Sequence, residues 1–94
     1  MEDYKFTAEK FIESDGSVTL SLNEIDLVEN APTEDEAKIA MGKAMLEYAN
    51  DYYQEFELWS KAPNRKHHIP YVQKALNYND EEKIAADISV EEHN

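Results

Sequence analysis

The sequence predicts an α+β fold in the order β-β-β-α-α-α, with an antiparallel two- or three-stranded sheet packed on one long amphipathic helix and two shorter helices after it. Three observations carry this prediction. Apolar residues alternate with polar ones over the first thirty positions, broken by Ser14-Asp15-Gly16-Ser17. From Ala37 to Trp59 they recur instead every three or four residues. Pro63 and Pro70 then punctuate the rest. Strands grouped before helices point to α+β rather than to alternating βαβ units. A chain of 94 residues suits one domain spanning 1–94 with a small core, and residues 1–3 and 89–94 are expected to fray.

The first strand has Tyr4, Phe6 and Ala8 on one face and Lys5, Thr7 and Glu9 on the other. Phe11 and Ile12 fall out of phase, which predicts a bulge or twist near Lys10. Asp15-Gly16 supplies the positive backbone angles of a tight hairpin turn. In the second strand Val18, Leu20 and Leu22 share a face, with Thr19 and Ser21 opposite. Asn23-Glu24 then reads as a turn or a bulge before a short third strand from Ile25 to Glu29. So small a sheet cannot stand alone and needs a helix across its apolar face.

That helix is predicted from Pro32 to Trp59. Thr33-Glu34-Asp35-Glu36 matches a capping box, and its three carboxylates suit the positive end of the helix dipole. Ala37, Met41, Ala44, Tyr48, Tyr52, Phe56 and Trp59 form one stripe, small at first and aromatic later, with Tyr53 beside it. Such a stripe at helical spacing reads as core. Pro63 stops the helix near Lys61. Ile69-Pro70 opens a second helix with Tyr71, Val72, Ala75 and Leu76 inward. Asn79-Asp80-Glu81-Glu82 caps a third, which buries Ile84, Ala85 and Ile88.

Composition narrows the function. Against 9 basic residues stand 21 acidic ones, a formal net charge of −12. That charge argues against direct nucleic-acid binding, which needs a basic footprint. It fits a basic protein partner, or simple solubility. The absence of cysteine excludes disulfides, thiolate zinc sites and thiol nucleophiles. Met1-Glu2-Asp3 does not resemble a secretion signal, and no apolar run reaches membrane-spanning length, so a cytoplasmic protein is expected.

No enzymatic role, cofactor or metal is expected. Ser14, Ser17, Ser21, Ser60 and Ser89 all have turn or strand explanations, and none sits in a nucleophile elbow. Gly16 and Gly42 are too few for a phosphate-cradling loop. His67 and His68 are adjacent, so their side chains diverge, and His93 is in the tail. They suit a turn, in which they could cap the helix at Ile69. The segment Lys61 to His68 concentrates Lys61, Arg65 and Lys66. These cations complement the negative end of the long helix. Alternatively Arg65, flanked by Trp59 and Tyr71, docks a partner carboxylate or phosphate in a forked geometry.

The run from Ser21 to Thr33, and Thr33-Glu34-Asp35-Glu36-Ala37 as a T-x-x-E-A helix start, resemble the small HicB-type antitoxins of bacterial toxin–antitoxin pairs. Glu55-Phe56-Glu57-Leu58-Trp59, with Ala62-Pro63-Asn64-Arg65-Lys66, is similar to other small bacterial proteins of that kind. Absent from the sequence are the proline-cysteine stretch that often follows the second strand in that family, and any helix-turn-helix or ribbon arm. The resemblance therefore implies neutralisation of a basic ribonuclease without implying autorepression.

Two readings follow. In the first the chain is a non-enzymatic, antitoxin-like inhibitor that binds a small basic ribonuclease toxin. Its partner-binding candidates are Glu24, Asp26, Glu29, Asp51, Glu55, Glu57, Trp59, Arg65 and Lys66. An exposed first strand would also allow a homodimer. In the second the acids mimic DNA and block a nucleic-acid-binding protein, which requires carboxylates in a continuous ribbon.

Overall fold

A computed structural model describes residues 5–59, 61–62 and 66–92, apart from the side chains of residues 59 and 66. Met1 to Tyr4, Ser60, Pro63 to Arg65, His93 and Asn94 lie outside the described residues. So do the expectations placed on them: the frayed start, the stop at Pro63 and the Arg65 anchor.

The elements run β1 (Thr7–Ile12), β2 (Val18–Leu22), β3 (Leu27–Ala31), α1 (Glu34–Gln54), α2 (Phe56–Trp59), a 3-10 turn (Lys66–His68), α3 (Ile69–Tyr78), α4 (Glu81–Asp87) and β4 (Ser89–Glu92). The strands form one mixed sheet in the order β3-β2-β1-β4. β1 and β3 flank β2 antiparallel, and β4 joins β1 in parallel. The α+β class is as the sequence predicts, but the described residues form four strands and four helices.

Three details of the sheet correct the sequence reading. First, β1 carries no bulge: its register with β2 is continuous from Ala8↔Leu22 to Ile12↔Val18. Lys10 stays on the helix-facing side, where its ammonium lies 2.7 Å from Glu34 and 3.4 Å from Glu92. A charge in an inward position, rather than a phase shift, breaks the alternation. Second, the hairpin has one positive φ, not two. Gly16, at φ 88°, donates to the Glu13 carbonyl, and Ser17 donates its N–H to Asp15 Oδ1. This is a turn closed by a left-handed glycine. Third, Ile25 is buried in the turn rather than in a strand, because Leu27 N–H closes back on the Ile25 carbonyl at 2.7 Å. β3 consequently begins at Leu27.

The expected fraying of residues 89–94 is replaced over Ser89–Glu92 by pairing with β1, opened by Ser89 N–H to the Phe6 carbonyl at 2.9 Å. β1 thereby becomes an interior strand. It has no free edge for the homodimer expected through it; the sheet edges are β3 and β4.

Thr33 caps α1, its hydroxyl accepting from Glu36 N–H at 3.2 Å. The buried face of α1 is Ala37, Met41, Met45, Ala49 and Tyr52, joined by Gly42. Relative to the expected stripe, Met45 and Ala49 replace Ala44, Tyr48 is half-buried and Phe56 is exposed. The stripe widens because α1 is sandwiched: β2 and β3 lie on one side, α3 and α4 on the other. Fully buried Phe6, Leu20, Met41, Met45, Tyr52 and Ile84 anchor the core, each aliphatic side chain contributing about 1.5–3 kcal/mol on burial.

The long helix does not run unbroken to Trp59. It ends at Gln54, and Glu55 leaves helical geometry at φ −117°, ψ 41°. Asp51 and Glu55 sit at the negative end of the helix dipole, with no basic residue in the last turn, and this arrangement weakens that end. The two shorter helices form as expected. Pro70 stands in the first turn of α3, Asn79 terminates α3 in the left-handed region, and Asp80 caps α4 by accepting from Glu82 and Lys83.

Candidate protein-binding face

α1 is about 31 Å long at 1.5 Å per residue, whereas the five-residue strands span about 17 Å. Its start is held beside the middle of β1 by Lys10 and Glu34. The C-terminal part therefore projects past the sheet, and there α3 rather than the sheet covers it. Two contacts fix α3. The Tyr48 hydroxyl lies 2.6 Å from Nδ1 of His68, which is only 4 % exposed. Tyr71 packs on Phe6 with ring centroids 6.1 Å apart. His68 thus does not cap α3 with its side chain; it is a buried bracket between α1 and the turn before α3.

Past this bracket the helices leave an open groove of about 460 Å³ lined by Tyr52, Tyr53, Phe56, Ile69, Val72, Gln73, Leu76 and Asn77. Its outer lip is apolar and exposed: Tyr53 is 69 % and Phe56 45 % accessible, and Leu58, further along α2, is exposed as well. Tyr52 closes the floor, edge-on to both Tyr48 and Phe56. Asp51, Glu55 and Glu57 are exposed and alternate in sequence with these lip residues. Three of the predicted acidic contacts thus lie exposed in the same stretch of chain as the groove residues Tyr52, Tyr53 and Phe56.

The other predicted contacts lie elsewhere. Glu24 accepts the Thr7 N–H at 2.8 Å and also the Thr7 hydroxyl, so its carboxylate serves to fasten the β2–β3 turn to β1. Asp26 is exposed in that turn, and Glu29 is half-buried on β3. Trp59 ends α2 and Lys66 begins the 3-10 turn. Their side chains, and all of Arg65, are outside the described residues. The exposure of Phe56 departs from the sequence reading, in which an aromatic stripe at helical spacing reads as core. The signal available was Tyr52-Tyr53: adjacent helical residues point about 100° apart, so both cannot face one core.

Elsewhere the acids perform local work. Asp15 accepts from the hydroxyl and N–H of Ser17, which hold its carboxyl below the usual carboxylate range. Glu34 pairs with Lys10, raising the lysine above its ordinary value mainly through that hydrogen bond. Asp80 caps α4, and Asp87 lies 2.6 Å from Lys74. These acids answer to local structure and do not trace the continuous ribbon that DNA mimicry requires. Among the described residues no group of three or more His, Cys, Asp or Glu could hold a metal ion. No described helix is long and apolar enough to cross a membrane.

These features define a small α+β protein with an open, apolar-lipped groove between its helices. The comparisons give that class a family. A crystal structure of an antitoxin part assigned to a toxin/antitoxin system from Syntrophomonas wolfei subsp. wolfei superposes with a TM-score of 0.88 at 34 % identity, over 97 % of this chain and 65 % of that one. The chain thus spans about 65 % of the length of that antitoxin. No curated protein matches. The PHD-like family model, described as antitoxin of toxin-antitoxin, RelE/RelB, TA system, matches residues 1–90, and the chain belongs to that family. The antitoxin expectation is therefore met at the level of the class, while the matching type is RelE/RelB and not HicB.

Proposed function

We propose that the chain neutralises a small, basic, ribonuclease-type toxin by covering its RNA-binding surface. Supporting this reading, beyond family membership, is the exposure of Asp51, Glu55 and Glu57 in the same stretch of chain as exposed Tyr53, Phe56 and Leu58, across the α1–α2 break. Acids on such a face steer a basic partner and set specificity, while buried aromatics supply most of the binding energy. Arg65, Lys66 and Trp59 belong to the proposal as sequence neighbours of this face. Glu24 is left aside because Thr7 occupies its carboxylate. Asp26, in the β2–β3 turn, and Glu29, half-buried on β3, stand apart from this stretch.

The test is co-expression with a RelE-type ribonuclease from the same host. The expected outcome is growth rescue and a complex whose Kd rises about tenfold or more between 50 and 300 mM salt, as exposed charge pairs are screened. Failure to rescue growth, or rescue without a complex, would overturn the reading.

A further inference from the structure

The groove between the end of α1, α2 and α3 is a different object from the acidic lip, and its chemistry specifies an occupant. Its floor and walls are Tyr52, Phe56, Ile69, Val72 and Leu76, and its polar lining groups are the amides Gln73 and Asn77 and the Tyr53 hydroxyl. Among the described residues no charged side chain lines it. It is open along the helices, and so suits a row of apolar side chains better than an enclosed small molecule. An amphipathic helix laid into such a groove inserts residues at i, i+3 or i+4 and i+7, and leaves its flanks against the lip.

Exposed Glu55 and Glu57 adjoin Phe56, which lines the groove. Glu55, where α1 breaks, and Asp51, whose carbonyl accepts the Glu55 N–H, also carry the negative end of the α1 dipole. Among the described residues, α1 offers no basic group in its last turn to offset them. Lys74, the cation on α3, is turned away, 2.6 Å from Asp87 and 5.2 Å from the Phe6 ring centroid. A second copy of this chain, itself at −12, is a poor occupant for such a site.

We infer that this groove receives an amphipathic helix of the toxin, its apolar stripe seated on Tyr52, Phe56, Val72 and Leu76 and its lysines or arginines against Glu55, Glu57 and the negative end of α1. This inference rests on the antitoxin reading above and adds where the toxin binds and by which element.

Gln73 is exposed on α3 and lines the groove, so it can be altered without touching the core. The full chain, carrying a photo-crosslinking residue at position 73, is co-expressed with the RelE-type toxin, and the crosslinked toxin peptide is sequenced. A basic amphipathic helical peptide is the expected product. In parallel, Gln73→Arg sets a cation against the incoming helix and Tyr53→Ala removes an aromatic anchor. Each is expected to weaken the complex by about tenfold or more, while Glu91→Gln, on exposed β4, leaves it unchanged. Growth rescue with no crosslink at position 73, or with Gln73→Arg and Tyr53→Ala binding like the parent, overturns the groove assignment and leaves the antitoxin reading standing. Loss of rescue by the parent chain overturns both. Crosslinking to a second copy of this chain would instead identify the face as a self-association surface and also overturn the assignment.

Discussion

The Tyr48 hydroxyl and Nδ1 of His68 meet at 2.6 Å in the interior, twenty residues apart in the chain. Their rings stand edge-on with centroids 5.7 Å apart, and His67 packs edge-on against His68 at 4.2 Å. This contact ties the projecting half of α1 to the turn that launches α3, and so sets the width of the groove beyond it. Tyr48→Phe keeps the ring and removes the hydroxyl. We expect a loss of about 1 kcal/mol in urea unfolding, together with faster amide exchange in α3 than in β1 or β2. Uniform loss of protection across the chain would show that the contact stabilises the whole fold and does not position α3.

Gly42 gives a prediction whose sign opposes helix propensity. In an exposed helix interior, glycine to alanine gains about 1 kcal/mol. Here α4 crosses α1 so closely that a Cβ on Gly42 would collide with the Glu81 carbonyl oxygen and stand 3.1 Å from the Ala85 nitrogen. Both obstacles are backbone atoms that cannot rotate away. Gly42→Ala is expected to destabilise the fold by about 1–3 kcal/mol, measured by thermal or urea unfolding. A stabilised variant would mean that α4 packs less closely than described.

What could be read from the sequence follows the range of the forces involved. The hairpin, the Thr33 cap, the Asp80 cap and the inward set Ile84, Ala85 and Ile88 are local features, and residue type fixed each of them. β4 was illegible because its stabilisation comes from a partner far away: Glu92 lies beside Lys10 across 82 positions of sequence, and Ser89-Val90-Glu91-Glu92 has only one apolar residue of its own. Met45 and Ala49 were missed for a related reason, since a helix packed on two sides buries more than one stripe. The acids of the binding face were legible as charge. Their apolar companions were not, because exposure of Tyr53 and Phe56 depends on α1 outrunning the sheet.

β4 can be tested directly. A chain ending at Ile88 keeps the core residues Ile84 and Ile88 but loses the parallel ladder from Thr7↔Ser89 to Lys10↔Glu92 and the packing of Val90. We expect a loss of several kcal/mol, since the ladder removes four residues' worth of hydrogen bonding at about 0.5–1.5 kcal/mol each. Growth-rescue activity should fall with the folded fraction. Unchanged stability would indicate that the strand is decorative, and β1 would then be a usable edge.

Lys10 supplies a pH prediction. Hydrogen bonding to Glu34 holds the ammonium above its ordinary value of 10.5; burial opposes it, and the charge of Glu34 and the hydrogen bond and charge of Glu92 add smaller increases. A group whose folded value is raised contributes its stability fully below the unfolded value and loses it as pH rises through the folded value. The contribution is therefore intact at neutral pH and disappears above about 10.5. The informative quantity is the difference between parent and Lys10→Met. That difference should be constant from pH 6 to 9 and shrink above pH 10, as read from urea midpoints. A difference that persists undiminished at pH 11.5 would assign the role of Lys10 to the packing of its aliphatic stem.

The acidic lip should separate from the groove in kinetics. Asp51→Asn with Glu55→Gln removes two exposed charges that α1 does not need; indeed they oppose its dipole at the C-terminal end. The double variant should therefore be as stable as the parent, or more so by about 0.3–1 kcal/mol. Against the toxin it should associate more slowly and with a shallower salt dependence, while its dissociation rate changes little, because screened rim charges act mainly on encounter. Tyr53→Ala should do the reverse and raise the dissociation rate. Stopped-flow binding at two salt concentrations distinguishes the two outcomes. If the acid variant changes dissociation as much as association, Asp51 and Glu55 make buried contacts with the toxin and are not rim charges.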